Sequence, residues 1–60
     1  NLSLREAMNR LGERERHIID MRFYEGKTQM EVAEEIGISQ AQVSRLEKTA
    51  LRNMRNYLRP

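Results

Sequence analysis

The chain has 60 residues, no cysteine, one histidine and a net charge of +2 from eleven basic and nine acidic side chains. This length allows one domain at most, and the composition excludes disulfides and thiolate metal sites, so we expect neither a metal nor a cofactor. No apolar run is long enough to cross a membrane and no signal-peptide pattern occurs, which predicts a cytoplasmic domain without a membrane partner.

Four segments carry apolar side chains at the three- and four-residue spacing of amphipathic helices. The predicted helices cover about residues 4–11, 13–24 and 29–36, followed by a long helix that starts after Ser39 and continues to about Leu58. The alternating pattern that would predict strands is absent. The methionines are predicted to fill the core, at Met8, Met21, Met30 and Met54.

Capping boxes mark the starts of three of these helices, because a serine or threonine is followed three residues later by Glu or Gln. The pairs are Ser3 with Glu6, Thr28 with Glu31, and Ser39 with Gln42. Gly26 and Gly37 follow predicted helix ends, where a left-handed residue is common. The capping boxes therefore predict where three helices start, and the two glycines predict where two helices end.

Residues 29–46 meet the requirements of a helix-turn-helix, in which two helices cross steeply through a short turn. Ala33 is small where the helices approach each other, Gly37 can adopt a positive φ in the turn, and Ser39 caps the second helix. The apolar positions of the shared core are Val32, Ile36, Ile38, Val43 and Leu46. The alternative is an ordinary helical hairpin in a bundle. The predicted fold is all-α, a small four-helix domain containing a helix-turn-helix.

The exposed start of the second helix of this motif is the candidate DNA-reading surface, since the N-terminal part of a recognition helix lies deepest in the major groove. Gln40, Ala41 and Ser44 are the candidate base contacts. A glutamine amide can bond to adenine in two places, and an alanine methyl can pack on a thymine methyl. Arg45 and Lys48 lie farther along the helix and are predicted to contact phosphates.

Thr28 and Gln29 begin the preceding helix and are also candidate phosphate contacts. For Thr28, capping alone is an equal alternative. Residues 39–60 contain five basic side chains against Glu47, a net charge of +4, whereas residues 1–38 contain six basic and eight acidic ones, a net charge of −2. A basic C-terminal third is typical of a protein that binds a polyanion. For Arg52, Arg55 and Arg59, however, a solvated helix face is the favoured interpretation.

An enzyme is the least supported class, because the sequence contains no nucleophile–base pair, phosphate-binding loop or catalytic constellation of carboxylates. His17 lies among charged residues and is interpreted as a surface or partly packed side chain. Because the chain starts at Asn1, without an initiator methionine, we expect residues 1–60 to be one domain of a longer protein.

Nearly the whole chain resembles region four of bacterial sigma factors of the sigma-70 family. The motifs that carry the resemblance are Leu11-x-x-Arg14-Glu15-Arg16, Met21-Arg22-Phe23-Tyr24, Thr28 with Glu31-Val32-Ala33, Gly37-Ile38-Ser39, and Val43-Ser44-Arg45-Leu46-Glu47-Lys48-x-Ala50-Leu51. Within the family, the run from Gly37 to Lys48 is most similar to sporulation sigma factors of the forespore, of the sigma-G type and then the sigma-F type.

The resemblance implies that the domain binds the upstream promoter hexamer within RNA polymerase holoenzyme, docks on the flap of the polymerase β subunit, and is open to anti-sigma factors. It places the family's base-contacting positions on Gln40, Ala41 and Ser44. Housekeeping members usually carry Arg, Glu and Arg there, so the smaller, uncharged side chains imply an altered and more A·T-rich site. Two alternatives are a helix-turn-helix of an independent repressor or response regulator, and a module that binds only proteins.

Overall fold

The computed structural model describes residues 2–59, and within that range the chain forms four helices and no strand. Helix α1 covers Leu4–Arg10, and α2 covers Glu13–Ile19 and continues directly into a π-helical turn, Asp20–Tyr24. Helix α3 covers Gln29–Ile36, and α4 covers Gln40–Leu58. The predicted all-α fold of four helices with a helix-turn-helix is confirmed.

All three predicted capping boxes are formed. In each box the hydroxyl oxygen accepts a hydrogen bond of 3.1 Å from the backbone N–H three residues later. The Glu or Gln side chain accepts one in return from the backbone N–H of the capping residue. Gly26 and Gly37 have φ values of 71° and 84°, as expected for left-handed residues after helix ends.

The last turn of the second helix differs from the regular helix that its periodicity predicts. The backbone N–H of Glu25 bonds to the carbonyl of Asp20 at 3.1 Å, five residues earlier, which widens this turn. Met21 is buried beneath it, whereas Phe23 is 56% exposed, although a regular helix would place it on the same face as the buried Ile19 four residues earlier. No element in the described part of the chain covers that end of the face.

Two apolar clusters form the core, and α4 contributes to both. The first joins α1, α2 and the C-terminal half of α4 through Met8, Leu11, Ile19, Ala50 and Met54. The second joins the end of the second helix, α3 and the start of α4 through Ile18, Met21, Val32, Ala33 and Val43. With its 19 residues, α4 is about 28 Å long, long enough to reach both clusters. Helix α4 is therefore anchored to both clusters.

The assignment of Met30 to the core is wrong, because its side chain is 63% exposed. Met30 precedes the fully buried Val32 by two residues, and two residues of an α-helix turn about 200°, so the two side chains lie on opposite faces. Leu4, Leu51 and Leu58 also lie at helically spaced apolar positions, yet all three are exposed. These side chains lie at the margins of the packed clusters.

Candidate nucleic-acid interface

Helices α3 and α4 are joined by a turn of residues 37–39 that fixes how α4 is presented. The backbone N–H groups of Gly37 and Ile38 both bond to the carbonyl of Ala33, at 2.8 and 3.1 Å. Ala33 and Val43 are buried in the same cluster, so the two helices pack closely beside the turn. This arrangement is the helix-turn-helix that residues 29–46 predicted, with α4 as its second helix.

The three candidate base contacts lie in the first two turns of α4. Gln40 and Ala41 are exposed, and Ser44 is half-buried. Because Ser39 caps the helix immediately before them, their positions are held by a formed helix start rather than a frayed end. The side-chain oxygen of Gln42 accepts the hydrogen bond from the backbone N–H of Ser39 that completes the capping box. Arg45 and Lys48, the candidate phosphate contacts, are both exposed on the same helix.

Thr28 and Gln29 both have structural roles at the start of α3. The hydroxyl of Thr28 accepts the capping hydrogen bond from Glu31, although the residue itself is exposed. The half-buried Gln29 donates its side-chain amide to Oε1 of Glu47 at 3.3 Å. A phosphate contact by either residue would have to coexist with these bonds, and such contacts stay a prediction.

A buried carboxylate that the sequence interpretation did not assign links three parts of the domain. Glu47 is only 9% exposed, and its Oε1 accepts hydrogen bonds from Arg22 Nε at 2.7 Å and from Gln29. Arg22 Nη1 also donates to the carbonyl of Lys27 at 2.8 Å. The sequence did hold a signal, because Glu47 is the one acidic residue of α4 and lies four residues after the buried Val43.

The loop before α3 is held by a second, exposed charge cluster. The ammonium group of Lys27 pairs with the carboxylates of Glu35 and, at 3.2 Å, Glu25. Hydrogen bonds first to Glu35 and then to Glu25 raise the pKa of Lys27 above its ordinary value. At the adjacent cap, hydrogen bonds from the backbone N–H and then the hydroxyl of Thr28 lower the pKa of Glu31. These contacts tie the loop to α3.

A different surface of the domain carries an apolar groove. It is lined by Leu4, Met8, Ile19, Phe23, Tyr24, Leu51 and Met54. Phe23 and Tyr24 are 56% and 64% exposed and line this groove together with the exposed Leu4 and Leu51. Such a grouping of exposed apolar side chains is uncommon on the surface of a soluble domain. Within residues 2–59 we find no cluster of His, Cys, Asp or Glu arranged to hold a metal ion. No helix in this described range is both long and apolar enough to cross a bilayer.

The fold and the exposed start of α4 define the class of protein, a helix-turn-helix domain. Residues 7–56 match the family described as Sigma-70, region 4, and the chain belongs to that family. This confirms the resemblance that the sequence motifs indicated.

Among known proteins, the chain is similar to RNA polymerase sigma-G and sigma-F factors. It is 66% identical to the RNA polymerase sigma-G factor of Clostridium acetobutylicum over 58 residues, which cover 97% of this chain and 23% of that protein. It is 68% identical to the sigma-G factor of Bacillus subtilis over 53 residues, 88% of this chain and 20% of that protein. The sigma-F factor of Bacillus licheniformis is 51% identical over 57 residues, which cover 95% of this chain and 22% of that protein. The chain thus spans less than a quarter of the length of these relatives.

Proposed function

We propose that this domain recognises the upstream, minus-thirty-five promoter element during transcription initiation, as part of an RNA polymerase holoenzyme in the bacterial cytoplasm. The observation that carries the proposal is the pair of exposed side chains, Gln40 and Ala41, directly after the cap of the recognition helix in a region 4 domain. Its role is binding rather than catalysis. The sporulation relatives favour a forespore promoter.

The chemistry of the three base-contacting positions supports a site that differs from the housekeeping hexamer. Gln40 can donate to and accept from the major-groove edge of adenine, and the Ala41 methyl can pack against thymine. Ser44 adds a short hydroxyl one turn after Gln40. None of the three carries a charge, so the guanine contact typical of arginine is absent and a more A·T-rich element is expected.

Phosphate contacts would fix the domain on this element. Arg45 and Lys48 supply charge from the recognition helix, and Thr28 and Gln29 lie at the N-terminal end of α3, where backbone N–H groups attract anions. Since the side chains of Thr28 and Gln29 are already hydrogen-bonded, their contribution to phosphate binding would come chiefly from the helix end. These contacts position the recognition helix without specifying sequence.

The polymerase partner in this proposal is the flap of the core β subunit, and an anti-sigma factor would compete for the domain. The apolar groove supports a protein contact of this kind, because Phe23, Tyr24 and Leu51 together leave apolar surface open to solvent. Exposed apolar surface of this type is characteristic of protein-binding sites. Gln40 and Ala41 do not line the groove, so the domain could bind the flap and promoter DNA at the same time.

Selection of preferred hexamers from a random duplex pool tests the promoter proposal. We expect one enriched hexamer, A·T-rich at the positions that face Gln40 and Ala41. Its affinity should fall steeply as salt rises, because neutralised phosphates release counterions. A pool that shows no enrichment with this chain, even at low salt, and none with the assembled holoenzyme, would refute it. Enrichment with the holoenzyme alone would mean that the isolated domain binds too weakly to select.

A further inference from the structure

A row of basic side chains follows the outer face of α4 beyond the candidate base contacts. Its members are Arg45, Lys48, Arg52, Arg55 and Arg59, which we call the basic row. The steps between them alternate between three and four residues, so the row stays on one side of the helix. All five are exposed, and among residues 2–59 none of them forms an ion pair.

The basic row lies opposite the core and continues the surface that carries the base contacts. With Val43 as the reference, a turn of about 100° per residue places Arg52 about 180° away, on the far side of α4. Ala41 falls about 160° from Val43 by the same geometry, in line with the row. The one acidic residue of α4, Glu47, is buried on the opposite side and bonded to Arg22, so it does not neutralise the row.

The length of α4 determines what the C-terminal part of the row can reach. From Ser44 to Arg55 the helix rises about 16 Å, which exceeds the roughly 12 Å width of the major groove. Because the N-terminal residues of a recognition helix contact the base edges, an α4 that crosses the groove at an angle carries its following turns over one of the two bordering strands. Phosphates line that border and bear one negative charge per nucleotide.

We propose that the basic row is a second DNA-backbone surface, through which Arg52 and Arg55, with Arg59 beyond them, bind phosphates that flank the promoter element. This inference rests on the proposed function, since it requires α4 to dock in the major groove. The positive charge of the row would attract DNA or an acidic protein, and its continuity with the base contacts on the same face of α4 favours DNA. The surface adds affinity without reading sequence, because phosphate contacts are the same at every site.

The test is a salt titration of DNA binding by the full 60-residue chain, on a duplex with the selected hexamer and ample flanking sequence. The variant is Arg52→Gln with Arg55→Gln, and the matched control is Arg5→Gln with Arg16→Gln, two exposed arginines on α1 and α2. Each lost phosphate contact should reduce the magnitude of the slope of log K against log salt by about 0.9. The row variant removes two such contacts, so the magnitude of its slope should fall by about 1.8. The control should keep the wild-type slope.

Two further measurements separate this inference from a folding defect and from the proposed function. Arg52→Lys with Arg55→Lys retains the charge and should restore the slope, and the preference for the selected over a scrambled hexamer should stay at the wild-type ratio. An unchanged slope in the Gln variant would overturn the basic row as a DNA surface, leave promoter recognition standing, and point to an acidic protein partner. A lost hexamer preference would also overturn it. If the wild-type chain prefers no hexamer, the same titration and selection are run on the assembled holoenzyme, and no preference there would overturn the proposed function and the basic row together.

Discussion

Arg22 Nε lies 2.7 Å from Glu47 Oε1, and this ion pair joins the second helix to the middle of α4. The side chains of Arg22 and Glu47 are 27% and 12% exposed, so the pair is shielded from much of the solvent. Gln29 donates to the same carboxylate oxygen from the start of α3. Three parts of the domain thus converge on one acceptor, which fixes α4 relative to the helix that precedes it.

We expect Glu47→Gln to lower the free energy of unfolding by on the order of 1–2 kcal/mol, because a charged acceptor becomes neutral while its donors stay in place. Urea unfolding followed by circular dichroism measures the change. Glu34→Gln is the matched control, since Glu34 is an exposed carboxylate of α3. Equal unfolding midpoints for the two variants would show that the charge of Glu47 contributes nothing.

Gly37→Ala should destabilise the domain by about 1–2 kcal/mol, because an L-residue is strained at a positive φ. Gly37 has a φ of 84°, and a Cβ there would meet no atom within 4 Å, so the cost comes from the backbone rather than from a clash. Gly37→Asn is the control, because asparagine adopts the left-handed conformation much more readily than alanine. Thermal unfolding should separate the two, and similar losses in both would contradict left-handed strain as the cause.

Gln40→Arg should change which hexamer is preferred while the domain stays folded, because Gln40 is exposed and makes no capping bond. Ser39→Ala is the structural counterpart, expected to cost about 1 kcal/mol through loss of the helix cap. Hexamer selection and thermal unfolding should be run on both variants. Unfolding of the Gln40 variant would show that the residue is structural, and an unchanged hexamer would remove it from the base contacts.

The two glutamates that complete capping boxes predict a loss of stability in acid. Hydrogen bonds from the backbone N–H and then the hydroxyl of Ser3 lower the pKa of Glu6 below its ordinary value of 4.5, and Thr28 does the same for Glu31. A carboxylate whose pKa is lower in the folded than in the unfolded state contributes its full stabilisation when the pH is above its unfolded pKa, near 4.5. This stabilisation disappears as the pH falls through the folded pKa.

The double variant Glu6→Gln with Glu31→Gln should therefore show a shallower decline of the melting temperature as the pH is lowered through 4.5. Glutamine still completes a capping box, as Gln42 does with Ser39, so the caps themselves are retained. Melting curves measured across this range by circular dichroism test the prediction. A decline as steep as in the wild type would assign the acid sensitivity to other groups.

The apolar groove gives a prediction for the polymerase partner. Leu51→Ser and Tyr24→Ser should weaken binding to RNA polymerase core at least several-fold, because apolar contact area at the interface is lost. Both residues are exposed, and duplex binding by the domain should be unchanged. Pull-down with purified core enzyme measures the first effect and a duplex titration the second. Unaltered core binding would show that the flap docks elsewhere.

Local patterns were enough to predict where the helices begin and end. The three capping boxes and the left-handed Gly37 depend on side chains within three residues of the cap and on one backbone angle, so the sequence alone determined them. The same holds for the exposure of Gln40 and Ala41, which follows from the cap at Ser39 and the buried Val43. Membership in the family was likewise readable from the motifs.

Which apolar side chains are covered and which charges meet depends on how the helices pack against one another. Met30, Phe23 and Leu51 satisfy helical periodicity, yet burial requires a neighbouring element, and that depends on how the helices cross. The Arg22–Glu47 contact joins residues 25 positions apart, a distance over which no local pattern constrains geometry. Local sequence sets the exposed start of α4, whereas long-range packing holds that surface in position.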